Sequence, residues 1–498
     1  METIKKDDSY THILKYTGIF GGVQGLNILI GIVRNKFATL LIGASGLGLM
    51  SLFNSTINMF VSACNLGIPT SGVQELSDKY TTSSPDIAKS ILMIRSWCFL
   101  LAIVGALLCA MVGPLLNHIS FSWGNHTLHY VLLSPAVAFT IVYGGELAVL
   151  KATRQLRALA VSSFLVIAFS LIFSVPIYYF MGQRGIVIVL VVLQFVQMIT
   201  ALRYSCRFYP YSLNLSTMFL RGGMRLIRLG IAFVLAGVMN SGAEFFIRSF
   251  INNKGDLNHV GYFNAGWTMA VIYGGLIFTA MESDYFPRLS SIKGVGEELS
   301  ACVNKQMEMN ILLVGPILIV MLYLLPILIP LLYDGSFLVM LPLAQFATMS
   351  LLFKAVYLPI EYLPLSKGKS VVFLFQEGFA VALLIVLELI GYTKMELTGL
   401  GVGISMAYFI EAICVLVYSR FYFSFRVSKN VVLFGVIQLF FCSVTLLVIL
   451  AKFSPIVYWG CAIISSVLDV VSSLYLLKRK TDVFDIFLAK LDKKRGVL

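Results

Sequence analysis

Charge is what this sequence has least of. Only 12% of its 498 residues are Asp, Glu, Lys or Arg, while 58% are hydrophobic. A soluble domain carries roughly twice that share of charge, so this chain cannot cover a water-facing surface and belongs to the membrane class. Cysteine motifs are missing too. The eight cysteines lie scattered through apolar stretches, with no Cys-x-x-Cys pair and no Cys/His cluster. They read as small packing residues, which argues against disulfides and metal sites. There is no Asp-x-Asp, and the longest outer loop, near 113–127, holds neither Asp nor Glu. A membrane glycosyltransferase, polymerase or ligase needs such carboxylates for its sugar and metal, so no catalytic residue is expected. A cleavable signal is not expected either. The first apolar stretch runs on to Arg34 without a small-residue cleavage site and should remain as the first span.

What fills the chain is a succession of apolar runs, each near the roughly 20 residues a spanning helix needs. Polar breaks divide them into spans near 12–33, 47–66, 88–112, 128–149, 158–181, 185–203, 229–251, 260–281, 309–332, 338–360, 371–391, 398–419, 430–451 and 454–477. The expected fold is an all-α polytopic membrane protein with about fourteen transmembrane helices. Lys and Arg fall almost entirely on one side. The N-terminus and every second loop carry them, from Lys5, Lys6 and Lys15 to Arg420, Arg426 and Lys429. The other side has only Arg34, Lys36, Arg184, Arg248, Lys254, Lys394 and Lys452. The positive-inside rule then places both termini in the cytoplasm. It also explains the net charge of +13 as topology and attraction to membrane lipids, not nucleic-acid binding.

An offset of about 214 residues brings landmarks into register. Arg34 meets Arg248, Pro114-Leu115-Leu116 meets Pro330-Leu331-Leu332, Glu146 meets Glu361, and Tyr204-Ser205 meets Tyr418-Ser419. Each copy holds six spans, so the copies run parallel, an arrangement used by alternating-access transporters. The expected domains are a six-helix lobe over 1–207, a cytoplasmic linker over 208–228 and a second six-helix lobe over 229–425. Two extra helices over 426–478 and a basic cytoplasmic tail over 479–498 follow.

The run Ile32-Val33-Arg34-Asn35-Lys36-Phe37, followed by Gly43-Ala44-Ser45-Gly46-Leu47-Gly48 and Leu66-Gly67-Ile68, resembles the opening of Wzx-type O-antigen and lipid III translocases. These belong to the MOP (multidrug/oligosaccharidyl-lipid/polysaccharide) superfamily. The resemblance implies a MATE-like, two-lobed fold around a V-shaped cavity. It implies a flippase of the bacterial inner membrane that carries an undecaprenyl-pyrophosphate-linked oligosaccharide, such as an O-antigen unit of lipopolysaccharide, to the outer leaflet. Two departures keep other readings open. Wzx proteins usually have twelve helices, and fourteen are counted here, as in lipid II flippases. Those flippases carry further arginines in the first two spans, where only Arg34 and Lys36 fit. A cation-coupled drug exporter of the same superfamily would favour acidic residues in the first spans.

A charge within the bilayer costs on the order of 3 kcal/mol, so each one is a functional candidate. Arg34, Lys36 and Arg248 suit a pyrophosphate, because a guanidinium presents a planar fork of donors to phosphate oxygens. Snorkelling to the outer interface is the bland alternative. Lys354 sits deeper and needs either a wet cavity or a partner, and Glu361 shares its helical face. Glu244 precedes Arg248 by one turn and would pair with it. Glu146 and Glu361 end equivalent spans, where they could form gating ion pairs or lie at the interface. With Glu244 they are the candidates for gating or for coupling to a proton or sodium gradient. No cofactor is expected. Expected partners are the lipid-linked oligosaccharide, membrane lipids and other polysaccharide assembly proteins, with the chain itself a monomer. His118, His126 and His129 share an outer loop without metal-ligand spacing, and Tyr130 suits the interfacial aromatic belt. Gly399-Leu400-Gly401-Val402-Gly403 lacks a βαβ context and reads as close helix packing.

Overall fold

The computed structural model describes residues 4–480, apart from 83, 122–124, 293, 295 and 452. Most of the tail expected over 479–498 lies outside the described residues. Without water in the bilayer core, every backbone N–H and C=O must be satisfied within its own segment, and a helix is the simplest way to do that. Among the described residues no strand occurs. The helices are α1 (Ile4–Cys64), α2 (Ile68–Thr81), α3 (Ile87–Ser120), α4 (Thr127–Leu132), α5 (Ser134–Ala152), α6 (Leu156–Met181), α7 (Ile186–Cys206) and α8 (Thr217–Gly222). They continue as α9 (Met224–Lys254), α10 (Leu257–Trp267), α11 (Gly274–Ser291), α12 (Glu297–Leu332), α13 (Leu341–Ser366), α14 (Ser370–Tyr422), α15 (Lys429–Leu450) and α16 (Pro455–Lys480).

Among the described residues, ten segments are long and apolar enough to cross a membrane. Three of these, in α1, α6–α7 and α14, are divided by a break into two long helical halves, and a fourth, Thr127–Ala152, joins the short α4 to α5. α1 breaks at Gly43 (φ 68°), and α14 breaks at Met395 and Glu396. α6 and α7 are separated by a short 3-10 turn over Gly182–Gly185. The expected span 260–281 is continuously helical but is not among the ten. α10 passes through a π-turn, Thr268–Tyr273, into α11. Large apolar side chains project outward along the helices, for example Met111, Leu115 and Ile463, as lipid-facing surfaces require.

The chain forms two compact units. The first holds the chain up to Asn264 together with Pro330–Phe337. In it α1 packs on α6 and α9, α3 on α5, and α5 on α7. Small residues permit this. The Gly67 and Gly230 backbones touch, and so do those of Gly48 and Gly261, so that α9 and α10 lie against the start of the chain with no room for a Cβ. The contact units therefore divide at a different place from the sequence repeat, because α9 packs with the first copy.

The second unit holds Ala265–Ile329 and the chain from Leu338 onward. Here α13 packs against both halves of α14 and against α11. The glycine run behaves as the sequence suggests. Gly399 meets the Gly391 backbone, Gly401 the Leu343 carbonyl and Gly403 the Leu387 carbonyl. The two helices outside the repeat are held by polar contacts. Gln438 on α15 donates to Asp469 Oδ1 and to Ser473 Oγ on α16, both at 2.8 Å. On α16, the Tyr458 hydroxyl donates to the Tyr323 carbonyl of α12 at 3.2 Å.

The repeat reappears in one backbone detail. The turn between the fifth and sixth spans of each copy uses a left-handed residue, Gly182 (φ 54°) in the first and Glu396 (φ 49°) in the second. A left-handed conformation costs a non-glycine residue about 1 kcal/mol. Glu396→Gly is therefore expected to raise thermal stability in detergent by up to about 1 kcal/mol, and Gly182→Glu to lower it by a similar amount.

Candidate functional site

Arg95 and Glu146 form the most enclosed charged contact of the first unit, with 2% and 1% of their surfaces exposed. Arg95 Nε and Nη2 donate to Glu146 Oε1 and Oε2 at 2.8 and 3.0 Å, a bidentate pair. Nη2 also reaches Ser205 Oγ at 3.0 Å, and Nη1 reaches the carbonyls of Tyr209 and Pro210 at 3.1 and 2.8 Å. One guanidinium thus ties α3 to α5, to the end of α7 and to the segment that follows. Both Glu146 oxygens are held inside its own unit. Arg95 lies inside the expected span 88–112. That position was the available signal for its role.

Arg248 on α9 is also buried. Its Nε donates to Ser51 Oγ at 2.7 Å, Nη1 to the Glu244 carbonyl and to Glu244 Oε2 at 3.1 Å, and Nη2 to Asn264 Oδ1 at 3.4 Å. The expected pairing with Glu244 one turn earlier is present, and Ser51 extends it to α1. Arg34, its counterpart in the repeat, is half-buried, nine residues before the break at Gly43, or about 13 Å along the helix axis. It contacts Asn35 Oδ1 at 3.3 Å. Lys36 donates to the carbonyls of Pro330 (2.6 Å) and Tyr333, at the negative end of a helix. Hydrogen bonds from the Ser336 hydroxyl and N–H, with Lys36 nearby, hold the adjacent Asp334 carboxyl below its usual range.

The second unit gathers acids. Glu361 on α13 hydrogen-bonds Glu377 on α14, with Glu411 and Lys354 in electrostatic reach. Tyr357 and Tyr408 border the cluster, with ring centroids 5.7 Å apart. The Lys354 ammonium lies 5.6 Å from the centre of the Phe278 ring. The sequence brings Lys354 and Glu361 together through their shared face. It gives no distance to Glu377 or Glu411, which arrive from the two halves of α14. Glu361 is the repeat partner of Glu146, but the position matching Arg95 holds Asn310, which donates to the Ala355 carbonyl at 3.4 Å. The same site is a closed ion pair in one copy and an acid cluster in the other.

Tyr130 is a correction. It is fully buried, packed edge-on against Phe53 at 5.6 Å, and takes no part in an interfacial belt. A T-shaped aromatic contact of this kind is core packing. His126 and His129 stack beside Phe121 and Phe53, and burial lowers the pKa of His126.

A family model described as "Polysaccharide biosynthesis protein" matches residues 28–342. No curated protein sequence matches the chain. Among solved structures, lipid II flippase MurJ in an inward closed conformation superposes with a TM-score of 0.71 at 12% identity, over 93% of this chain and 99% of that one. An inward-facing multidrug resistance MATE family transporter of the MOP superfamily gives 0.64 at 12%, over 78% and 94%. A MOP superfamily transporter from Pyrococcus furiosus gives 0.56 at 13%, over 82% and 93%. At these identities the likeness concerns the fold alone.

Removing one member of a buried pair leaves the other charged and unsatisfied. Arg95→Ala or Glu146→Ala is expected to cost about 3–5 kcal/mol in unfolding measurements. The double replacement Arg95→Met/Glu146→Leu should cost clearly less than either single change.

Proposed function

The chain belongs to the polysaccharide biosynthesis protein family, and from that premise we propose that it is a flippase for undecaprenyl-pyrophosphate-linked oligosaccharide. It works in the bacterial inner membrane with both termini in the cytoplasm, and by alternating access it carries O-antigen-like units to the outer leaflet. The observation that carries this reading is Arg34. It is a guanidinium half-buried within a spanning helix, where a charge costs about 3 kcal/mol on insertion scales and is retained for a task. Its donor fork matches a pyrophosphate and would repel a cationic drug. Arg248, with its hydrogen bonds to Ser51 and Glu244, is better suited to holding α9 beside α1 than to leaving with a substrate. Lys36 likewise secures the 330–333 backbone. In this reading Arg34 contacts the head group from within its span, with Lys354 a second contact.

The coupling element in this reading is the acid cluster, in which Glu361, Glu377 and Glu411 meet beside Lys354 within spanning segments. A charge moved through 100 mV is worth roughly 2.3 kcal/mol, enough to bias a two-state transporter. The protein acts as a monomer alongside other polysaccharide assembly proteins, and the ordinary membrane lipids surround it.

The test is rescue of surface glycan in a strain lacking its lipid-linked oligosaccharide translocase. Wild type is expected to restore glycan and Arg34→Gln to lose it by at least about tenfold at equal expression, the value of one lost charged contact. Rescue of a strain lacking its lipid II flippase, without glycan rescue, would move the substrate to the peptidoglycan precursor. Resistance to cationic dyes alone would make it a drug exporter. In proteoliposomes, Glu361→Gln and Glu377→Gln are expected to transport at a rate that no longer responds to an imposed pH gradient. An unchanged response would remove the cluster from coupling.

A further inference from the structure

Beyond the transport reading, the first unit carries a basic hollow that neither the substrate contacts nor the acid cluster use. It lies where the α5–α6 turn meets the end of α7, with a volume of about 740 Å³, inside the roughly 300–1,000 Å³ range of small-ligand sites. Arg154, Arg157 and Arg207 line it and are all exposed, and no Asp or Glu is among its lining residues. Among the described residues none of the three guanidinium groups has an ion-pair or hydrogen-bond partner. The floor beneath them is apolar and packed. Leu150, Ala158 and Leu159 are buried, and Tyr204 packs against them. A second hollow, lined by α2, α3 and the segment around α8, makes the contrast. There Lys79 pairs with Glu75 at 2.7 Å, and Asp86 joins the wall beside Lys89. Of these two hollows, the first keeps its positive charge uncompensated.

Three like charges on a firm concave surface repel one another and become favourable together when an anion joins them. The donor type narrows the anion, because guanidinium forks match phosphate oxygens. The setting narrows it further. The hollow sits at helix ends on the side rich in Lys and Arg, with Leu156 and Val161 exposed at its edge. A ligand there meets phosphate donors and apolar side chains at once, as a membrane lipid does and a free anion does not. We propose that this hollow binds the phosphate headgroup of an anionic glycerophospholipid of the cytoplasmic leaflet, Arg154, Arg157 and Arg207 holding the phosphate while the acyl chains run beside Leu156 and Val161.

The test uses the full chain in nanodiscs of phosphatidylcholine with and without phosphatidylglycerol, followed by native mass spectrometry of retained lipids. Wild type is expected to retain phosphatidylglycerol over phosphatidylcholine, and Arg154→Gln/Arg157→Gln/Arg207→Gln to lose that preference by roughly tenfold. Arg420→Gln/Arg426→Gln/Lys429→Gln removes the same charge elsewhere and should keep it. Matching thermal unfolding of both variants in phosphatidylcholine checks that they fold alike. Equal loss in both variants would reduce the effect to bulk surface charge and overturn the site. Retention in the hollow variant would overturn it as well. Displacement of phosphatidylglycerol by millimolar inorganic pyrophosphate would identify a soluble anion as the ligand, against the proposal.

Discussion

A chain in hydrocarbon has no water to turn to, and the rest of this structure follows from that. Backbone groups must pair within their own segment, which yields helices. Side-chain charges must pair with each other or sit where a ligand can meet them. Apolar surface gives no drive for helices to associate, because lipid is as apolar as leucine. Close contact then has to come from small residues. The contacts Gly67–Gly230, Gly48–Gly261 and Gly391–Gly399, where the backbones touch, are this rule at work.

The polar contacts obey the same logic and differ in what they make possible. Arg95 and Glu146 are fully satisfied, with Ser205 and two backbone carbonyls completing the set. A network of that kind fixes geometry and gives little by way of a switch. The duplicated position in the second copy has exchanged the arginine for Asn310, and Glu361 there turns to Glu377 and Lys354. The repeat places the same position twice, and a few side chains separate a bidentate ion pair from a cluster of acids.

Arg248 and Arg34 illustrate the same divergence. They are equivalent in the repeat, yet Arg248 bonds to Ser51, Glu244 and Asn264 while Arg34 is half-buried beside Asn35. Equivalence in sequence therefore predicts an equivalent place on the helix but not the same partners. The neighbours decide that, and α9 lies against α1 and α2 where α1 has different company.

The sequence by itself determined the class and the plan. Apolar runs of spanning length, basic residues on alternate loops and the offset of about 214 are local or periodic signals, and hydrocarbon enforces them directly. The pairing of Glu244 with Arg248 and the nearness of Lys354 to Glu361 were legible for the same reason, since residues four or seven apart share a helical face. Tertiary structure alone decided the rest. Arg95 meets Glu146 across 51 positions, and Glu377 and Glu411 reach Glu361 only once α14 has folded back at Glu396. Tyr130 became core because Phe53, from another helix, closed over it. Such meetings depend on which helices touch and at what rotation, and in lipid this is set by small residues and buried polar atoms whose partners lie far away in the chain.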